Sequence, residues 1–576
     1  VLVSPFRKAD LILLHAPSIY DFRKIHKLLG PISDVIPSTP IFEMYPVGFS
    51  TIAEYLQQHK ISTRIINIAY RMLENPTFDA EKFISKLKTR AFGIDLHWLP
   101  HAHGSLEIAK ICKKYHPDIP VIFGGYSATY FHQDLITYPS VDFVIRGDST
   151  EEWILHLMQT IISQTGNYQD IPSLTWKNEQ NEIMVNASQK PKVDLNTFSN
   201  NYVHLFKKAV KYFDFKNLTA IRDWWEYPIS VIMTCRGCTQ NCAICGGSER
   251  GVACYLGREK PAFRAPELVA KDIGQINRFT RAPIFVVGDL HQFGYDYAQT
   301  FFRELKKYQV KNELVFELFI PAKEVFFDWL AEAAANFNFE ISPESHDVQV
   351  RRKSGKNYSN EAMERNIQWA LDRGSKKIDI FFMIGLPSQT YQSVMETIEY
   401  CDYLIDKFGK RLVPFISPLA PFLDPGSIAF ENAEQYGYKI HFKKLEDYRQ
   451  ALLEPSWKHV LSYETEWMDR ETIVQASYEA GKRLTQIKAK YGLISKSESQ
   501  KILVNIDDAL QKHAKIEKIY ADPAIDADKK NALLSTLDLN MEQDSISTIC
   551  YKHELRWPKA RRAFKFAGII KAVLFE

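Results

Sequence analysis

The sequence predicts an α/β protein. A doubly wound (Rossmann-like) parallel sheet is expected over residues 8–165, a partial (β/α) barrel over 227–425, and a mostly helical cap over 426–576. Three observations predict this. Short β-rich runs alternate with helical stretches in two separate blocks. Between them, residues 166–226 are irregular and polar and read as a linker. After Pro425-Gly426 the strand signals give way to helical periodicity.

Composition narrows the function classes. A chain of 576 residues has room for two or three cores. Hydrophobic content of 45% and charged content of 24% are ordinary for a globular protein. The net charge of +3 makes no electrostatic case for nucleic acid. No apolar run approaches the roughly 18 residues that span a bilayer, and residues 1–8 lack the apolar core of a signal peptide. Of eight cysteines, five crowd between Cys235 and Cys254, while Cys112, Cys401 and Cys550 are scattered. That is no disulfide framework and suits a reducing, cytoplasmic location.

In the first block, residues 11–17 read as a buried strand ended by Pro17. A long loop leads to Tyr45-Pro46-Val47-Gly48-Phe49 and a helix from Ser50. Residues 64–68, 91–96, 121–125 and 143–148 read as strands two to five, with helices over 105–115 and from Glu151. Ligands of such sheets bind at the carboxyl ends of the strands. His97, His101 and His103 follow the third strand and can line such a pocket, although a loop histidine is more often solvated or hydrogen-bonded than a metal ligand. A hairpin is expected around Leu174-Thr175-Trp176 and Ile183-Met184-Val185.

In the second block, strands are expected over 229–233, 284–289, 314–319, 337–345 and 378–387. Pro266 sits in the first turn of a helix. Functional groups at the strand ends are what a (β/α) barrel predicts. The first of these strands runs into Thr234-Cys235-Arg236-Gly237-Cys238-Thr239-Gln240-Asn241-Cys242-Ala243-Ile244-Cys245-Gly246-Gly247. Cys238, Cys242 and Cys245 stand at C-x3-C-x2-C spacing on a loop. Three thiolates so close in sequence can hold three corners of a cubane iron–sulfur cluster and leave the fourth iron open. The alternative is zinc, with Cys235 as fourth ligand. Structural zinc motifs usually separate two CxxC knuckles by a dozen or more residues, so the spacing favours the cluster.

This loop resembles that of the radical S-adenosylmethionine (radical SAM) superfamily, whose hallmark is CxxxCxxC after the first barrel strand. Over roughly residues 10–425 the chain resembles the branch carrying an N-terminal cobalamin (B12)-binding domain. The loop there commonly reads T-S-R-G-C-P-x-x-C-x-F-C. Here Cys235 replaces the Ser, Thr239 the Pro and Ile244 the aromatic, while the three ligands and Arg236-Gly237 are intact.

The resemblance implies a [4Fe-4S] cluster on Cys238, Cys242 and Cys245, with S-adenosyl-L-methionine on the open iron, in a partial (β/α)6 TIM-like barrel with a lateral opening. Reductive cleavage then yields a 5′-deoxyadenosyl radical that abstracts a substrate hydrogen. It implies that Gly288-Asp289 holds the methionine ammonium, where an acidic residue makes charge sense, and that Glu344-Ser345 lies near the ribose. Ile384-Gly385-Leu386-Pro387, matched to the sixth strand, and Ile244 are implied beside adenine. Lys353 either pairs with the S-adenosylmethionine carboxylate or belongs to a solvated basic loop.

Tyr45-Pro46-x-Gly48, Gly124-Gly125 and Arg146-Gly147-Asp148 are similar to landmarks of the cobalamin-binding domain, and a glycine pair lets backbone approach a flat ring. Tyr126 stands where His often follows the pair, and Asp148 where Glu is common. D-x-H-x-x-G, the cobalt-ligating motif of other cobalamin proteins, is absent, as it typically is in this branch.

The C-terminal periodicity over 442–540 reads as a helical cap over the barrel mouth. The mixed basic and apolar tail, 557–571, reads as a helix docked on the protein's own surface in preference to a membrane-touching one. With only Cys550 in this region and Cys112 in the N-terminal third, neither the auxiliary clusters of peptide-modifying relatives nor the extra cluster of methylthiotransferases is expected.

The resemblance thus implies a cobalamin-dependent methyltransferase. One S-adenosylmethionine methylates the reduced cobalamin, and a second yields the radical that activates an inert carbon of a small-molecule or lipid substrate. An electron donor such as ferredoxin or flavodoxin is implied. The alternatives are a radical oxidation, cyclisation or coupling with the N-terminal domain as scaffold, or an iron–sulfur or cofactor-binding sensor without turnover.

Overall fold

The computed structural model describes residues 6–31, 39–189, 194–198, 202–218, 221–419, 421–537, 539, 552–559 and 565. The first sheet comprises β1 (Leu11–His15), β2 (Thr63–Asn67), β3 (Ala91–Asp95), β4 (Val121–Gly124), β5 (Phe143–Ile145), β6 (Leu174–Lys177) and β7 (Ile183–Val185). Its order is β2-β1-β3-β4-β5-β6-β7. β1 to β5 run parallel, and the β6–β7 hairpin adds antiparallel to β5. The hairpin expected within the linker therefore extends this sheet, because Leu174 and Trp176 bury their side chains in its core.

Alternation along β1 explains the double winding. Ile12 and Leu14 face one core with Phe92, Ile94 and Phe123. Leu11 and Leu13 face another with Phe49, Leu56, Ile122 and Trp153. Strand order reverses between β1 and β3, the place where sheets of this kind open a ligand crevice.

The second sheet is all parallel, built from β8 (Ser230–Met233), β11 (Ile284–Val287), β12 (Leu314–Leu318), β13 (Phe337–Glu344), β14 (Ile378–Ile384) and β15 (Leu412–Pro418). The strands follow one another in sequence order, with β8 and β15 at the edges. Between β8 and β11, the short β9 (Cys235–Arg236) and β10 (Ala262–Phe263) pair antiparallel. Ile384-Gly385-Leu386-Pro387 thus closes the fifth strand of this sheet, not the sixth. The sixth strand carries Pro414 and Pro418, which disrupt a sequence-level strand signal and which an edge tolerates.

A flat six-stranded sheet would set its edges roughly 24 Å apart. Residues 554–557, whose backbone spans only about 11 Å, bridge toward both. Glu554 pairs with Lys488 at 2.7 Å, and that ammonium lies 4.3 Å from the centre of the Phe415 ring on β15. The Trp557 amide donates to Tyr227 Oη at 2.7 Å, just before β8, and its ring centre is 5.5 Å from that of Phe285 on β11. Leu555 packs with Phe381, Val413 and Phe415, and Trp557 with Phe285 and Val315, on the sheet.

The long C-terminal helices take a place other than the expected one. Arg470–Lys490 packs along β15 and the helix Tyr391–Phe408, and Lys496–Ala521 packs on it in turn. They cover the open edge. The strand ends are overlain instead by the stretch from 421 to 465, which includes β16 (Tyr438–Ile440) and β17 (Tyr463–Thr465). Tyr438 Oη donates to Gly385 O at 2.8 Å and Tyr463 Oη to Leu419 O at 2.7 Å. Most of the tail expected as a surface helix lies outside the described residues. Among the described residues no helix is long and apolar enough to cross a membrane.

One buried ion pair joins the two sheets. Arg236, on β9, donates through Nη2 to Glu151 Oε1 at 2.7 Å and to Thr51 Oγ1 at 3.0 Å, and through Nη1 to Ser149 Oγ at 2.7 Å. Burial alone would raise the Glu151 carboxyl, but the guanidinium and its hydrogen bonds hold it below the ordinary value. Arg258 adds a second tie to Asp148. Removing one partner of such a pair strands the other and costs about 3–5 kcal/mol. Glu151→Ala is therefore expected to lower the melting temperature clearly, with Glu151→Gln intermediate. Trp557→Ala should cost about 3–5 kcal/mol through the void it leaves. Unchanged thermal melting of either alanine variant would contradict the role given to that contact.

Candidate active site: the cysteine loop and the strand-end cavity

The cysteine loop leaves β8 and is held from every side. Ala243 N donates to Ser354 O at 2.9 Å, Ala429 N to Ala243 O at 2.8 Å, and Gly246 N to Asp424 Oδ2 at 3.1 Å. Gly355 has φ +94°, and a Cβ there would stand 2.5 Å from Asn241 O and 3.0 Å from Cys242 Cα. Only glycine lets the 351–356 turn approach the loop so closely. Thr239 donates through N and Oγ1 to Gln292 Oε1 at 3.2 and 3.0 Å. A proline at 239 would lack that N–H, so the departure from the family pattern adds a tie.

Cys238 Sγ accepts from Gln240 N at 3.3 Å. The described cysteines are all free. Burial pushes the Cys238 and Cys245 thiols up, and Cys242 to about 11, with Lys356 pulling Cys242 the other way. Cys245 keeps exposed surface. Among the described residues no three His, Cys, Asp or Glu side chains converge on a single-ion position.

Beside the thiols lies a polar cluster that the sequence reading only partly identifies. Lys356 Nζ pairs with Glu344 Oε1 at 2.6 Å and donates to Ser342 O. Glu344 ends β13 at a break in register with β14 and holds a left-handed φ of +67°, a conformation a non-glycine residue adopts under constraint. Its Oε2 is buried without a hydrogen-bond partner among the described residues, as is Gln292 Nε2. One is an acceptor and the other a donor. Glu317 Oε2 accepts from Gly288 N at 2.6 Å, and burial pushes that carboxyl up to about 7.

The other expected site residues are held by contacts within the protein. Asp289 is buried with both oxygens engaged, Oδ1 accepting from His291 N at 3.2 Å and Oδ2 from Phe319 N at 2.8 Å. It caps the turn that follows β11. Ser345 Oγ accepts from Asp347 N at 3.1 Å and so fixes the next turn. Lys353 is exposed, 5.1 Å from the centre of the Tyr436 ring. The lysine at the site is Lys356, three residues on. Ile244 is buried in the hydrophobic cluster formed by the second sheet and its helices. Tyr463 closes over Gly385, where a Cβ would lie 2.3 Å from Tyr463 Oη.

On the other side of the Arg236 seam, a cavity of about 250 Å³ opens at the β1/β3 reversal. Gly48, Gly124, Gly125 and Tyr126 line it, together with Met233 and Arg236 from the cysteine-loop side. Tyr45 lies outside that lining, with its ring centre 6.5 Å from that of Phe49. Tyr126 Oη donates to Pro425 O at 3.1 Å and stands 2.8 Å from where a Cβ on Gly246 would be. Tyrosine at this position thus reaches from the first sheet to the cysteine loop. Of the three histidines after β3, only His97 lines the cavity. His101 is buried with Nδ1 3.1 Å from Ala16 O, and His103 Nδ1 accepts from Tyr20 N at 3.2 Å.

Lys356, Gln292 and Glu317 escape the sequence reading. The signal for Glu317 is a lone carboxylate near the end of an apolar strand. Lys356 and Gln292 carry no comparable signal.

Residues 232–401 match the radical SAM superfamily and residues 34–153 the B12 binding domain. No curated protein matches the chain. In fold the chain is similar to TsrM from Kitasatospora setae, a radical S-adenosylmethionine methyltransferase solved with cobalamin and a [4Fe-4S] cluster. The TM-score is 0.55 at 14% identity, covering 85% of this chain and 90% of that one. It is also similar to OxsB, a cobalamin-dependent S-adenosylmethionine radical enzyme solved with aqua-cobalamin. There the TM-score is 0.51 at 12% identity, covering 92% of this chain and 71% of that one. The chain is a radical SAM enzyme with an N-terminal B12-binding domain, and its cofactors are a [4Fe-4S] cluster, S-adenosylmethionine and cobalamin.

Proposed function

We propose that the protein transfers a methyl group to an unactivated carbon of a small-molecule or lipid substrate, drawing electrons from a small carrier such as a ferredoxin or flavodoxin. The observation that carries this reading is the shared wall: Met233 and Arg236, flanking the cysteine loop, line the cavity of the B12-binding domain. Two cofactors placed there would address the same substrate. When bound, the reduced cluster cleaves S-adenosylmethionine to a carbon-centred radical, and cobalamin carries the methyl group.

The chain's own residues fit these groups. Three free thiols on one loop, Cys238, Cys242 and Cys245, would hold the cluster, leaving one iron for S-adenosylmethionine. The unpaired Glu344 Oε2 and Gln292 Nε2 offer an acceptor for an ammonium and a donor for a carboxylate. Lys356 orients Glu344 through their 2.6 Å ion pair. The glycines at 48 and 124 leave the cavity wall without side chains, and beside Gly48 a Cβ would meet nothing within 4 Å.

Anaerobically reconstituted, reduced protein is expected to convert S-adenosylmethionine to 5′-deoxyadenosine and to retain cobalamin through gel filtration. S-adenosylmethionine with a deuterated methyl group should pass its label to the protein-bound cobalamin. Retention with no label on cobalamin would overturn methyl transfer in favour of non-methylating radical chemistry. Glu344→Gln removes a charged hydrogen bond worth about 1.5–3 kcal/mol. It should weaken S-adenosylmethionine binding roughly 10- to 100-fold with the cluster absorbance unchanged. Wild-type affinity in that variant would remove Glu344 from the binding site.

A further inference from the structure

We infer that His97 is an axial ligand of the cobalt, coordinating it through Nε2 from the side of the B12-binding sheet. The inference deepens the proposed use of cobalamin and rests on its being bound in the strand-end cavity.

The argument begins with Asp95 at the end of β3. Its buried carboxylate lies 3.0 Å from His15 Nδ1 through Oδ1 and 2.6 Å from His97 Nδ1 through Oδ2. His15 Nε2 is 2.9 Å from Phe42 O. Both partners of His15 are acceptors, so that ring is held at both nitrogens and keeps Asp95 in place. His97 meets the same carboxylate through Nδ1, which leaves Nε2 as its second ring nitrogen.

Among the described residues that Nε2 has no hydrogen-bond partner. The ring lines the cavity with Gly124, Gly125 and Tyr126, and 30% of its side chain is exposed there. Its backbone is fixed as well. Gly125 has φ +115°, and a Cβ at that position would lie 2.6 Å from His97 Cα and 2.7 Å from His97 N. The second glycine of the pair therefore does more than bare the cavity wall. It lets the end of β4 press against residue 97 and set its ring.

A histidine whose Nδ1–H is fixed by a buried carboxylate and whose Nε2 faces a cavity is the arrangement proteins use to orient a metal-binding imidazole. His101 and His103 do not share it: neither lines the cavity, and their Nδ1 atoms meet Ala16 O and the Tyr20 amide in place of a carboxylate. Asp95-Leu96-His97 places carboxylate and imidazole two residues apart at a strand end, with Pro100 where the cobalt-ligating motif of other cobalamin proteins has glycine. The sequence alone therefore does not signal the ligand.

The test is electron paramagnetic resonance of the full-length protein loaded with cob(II)alamin and passed through gel filtration. An axial nitrogen splits each cobalt line. In protein grown with 15N-histidine the inferred ligand gives doublets, whereas the cofactor's own benzimidazole gives triplets whatever the label. His97→Ala protein should retain cobalamin and lose the splitting, and the labelled wild type answers the question even if that variant does not fold. Triplets in the labelled protein, or no nitrogen splitting at all, would overturn the assignment while leaving cobalamin binding intact. Failure of the wild type to retain cobalamin would overturn the assignment and the proposed function together.

Discussion

The contact between Arg236 and Glu151 is the constraint on which the rest of the site depends. Arg236 belongs to the cysteine loop and Glu151 to the B12-binding domain, and both are buried almost completely. Burying two charges is costly unless the geometry is good and their remaining valences are filled. Ser149 and Thr51 fill them. The arginine two residues before Cys238 thus fixes the distance and angle between the cysteine loop and the B12-binding domain. A flexible join would let the two cofactor sites drift apart, and a misplacement of about 1 Å is enough to slow a reaction 100-fold.

Around that seam the loops are positioned by close backbone approach more than by side-chain bulk. Gly355 brings the Lys356 turn against Cys242, and Gly125 brings the end of β4 against His97. In each case the residue that carries chemistry is a neighbour of the glycine. Rigid strands then present these turns at one end of each sheet, where both α/β architectures place their ligands.

Much of this was legible in the sequence, for a physical reason. The three cysteines lie on one short loop, so their proximity follows from covalent connectivity alone. The strands of the first sheet are apolar runs covered on both faces, and such runs are visible without knowing the fold. The polar cluster beside the thiols was less legible because it depends on which member of a local group turns inward. Lys353 and Lys356 share one turn, yet only the second is drawn in, by Glu344 and Ser342. Asp289 stands at the strand end, where backbone amides at 291 and 319 donate to its oxygens, contacts that no local pattern announces. β15 was hidden by Pro414 and Pro418, and the packing of Trp557 between the sheet edges is a contact across more than 300 residues with Tyr227 that no local pattern encodes.

The central claim is that the cluster and cobalamin occupy one continuous site. The most direct test is magnetic. Protein carrying both the reduced [4Fe-4S] cluster and cob(II)alamin holds two unpaired spins. Centres on either side of the Arg236 wall should couple, broadening or splitting each signal relative to samples holding one centre alone. Spectra that are the plain sum of the two single-centre spectra would place the cofactors far apart and contradict the shared site.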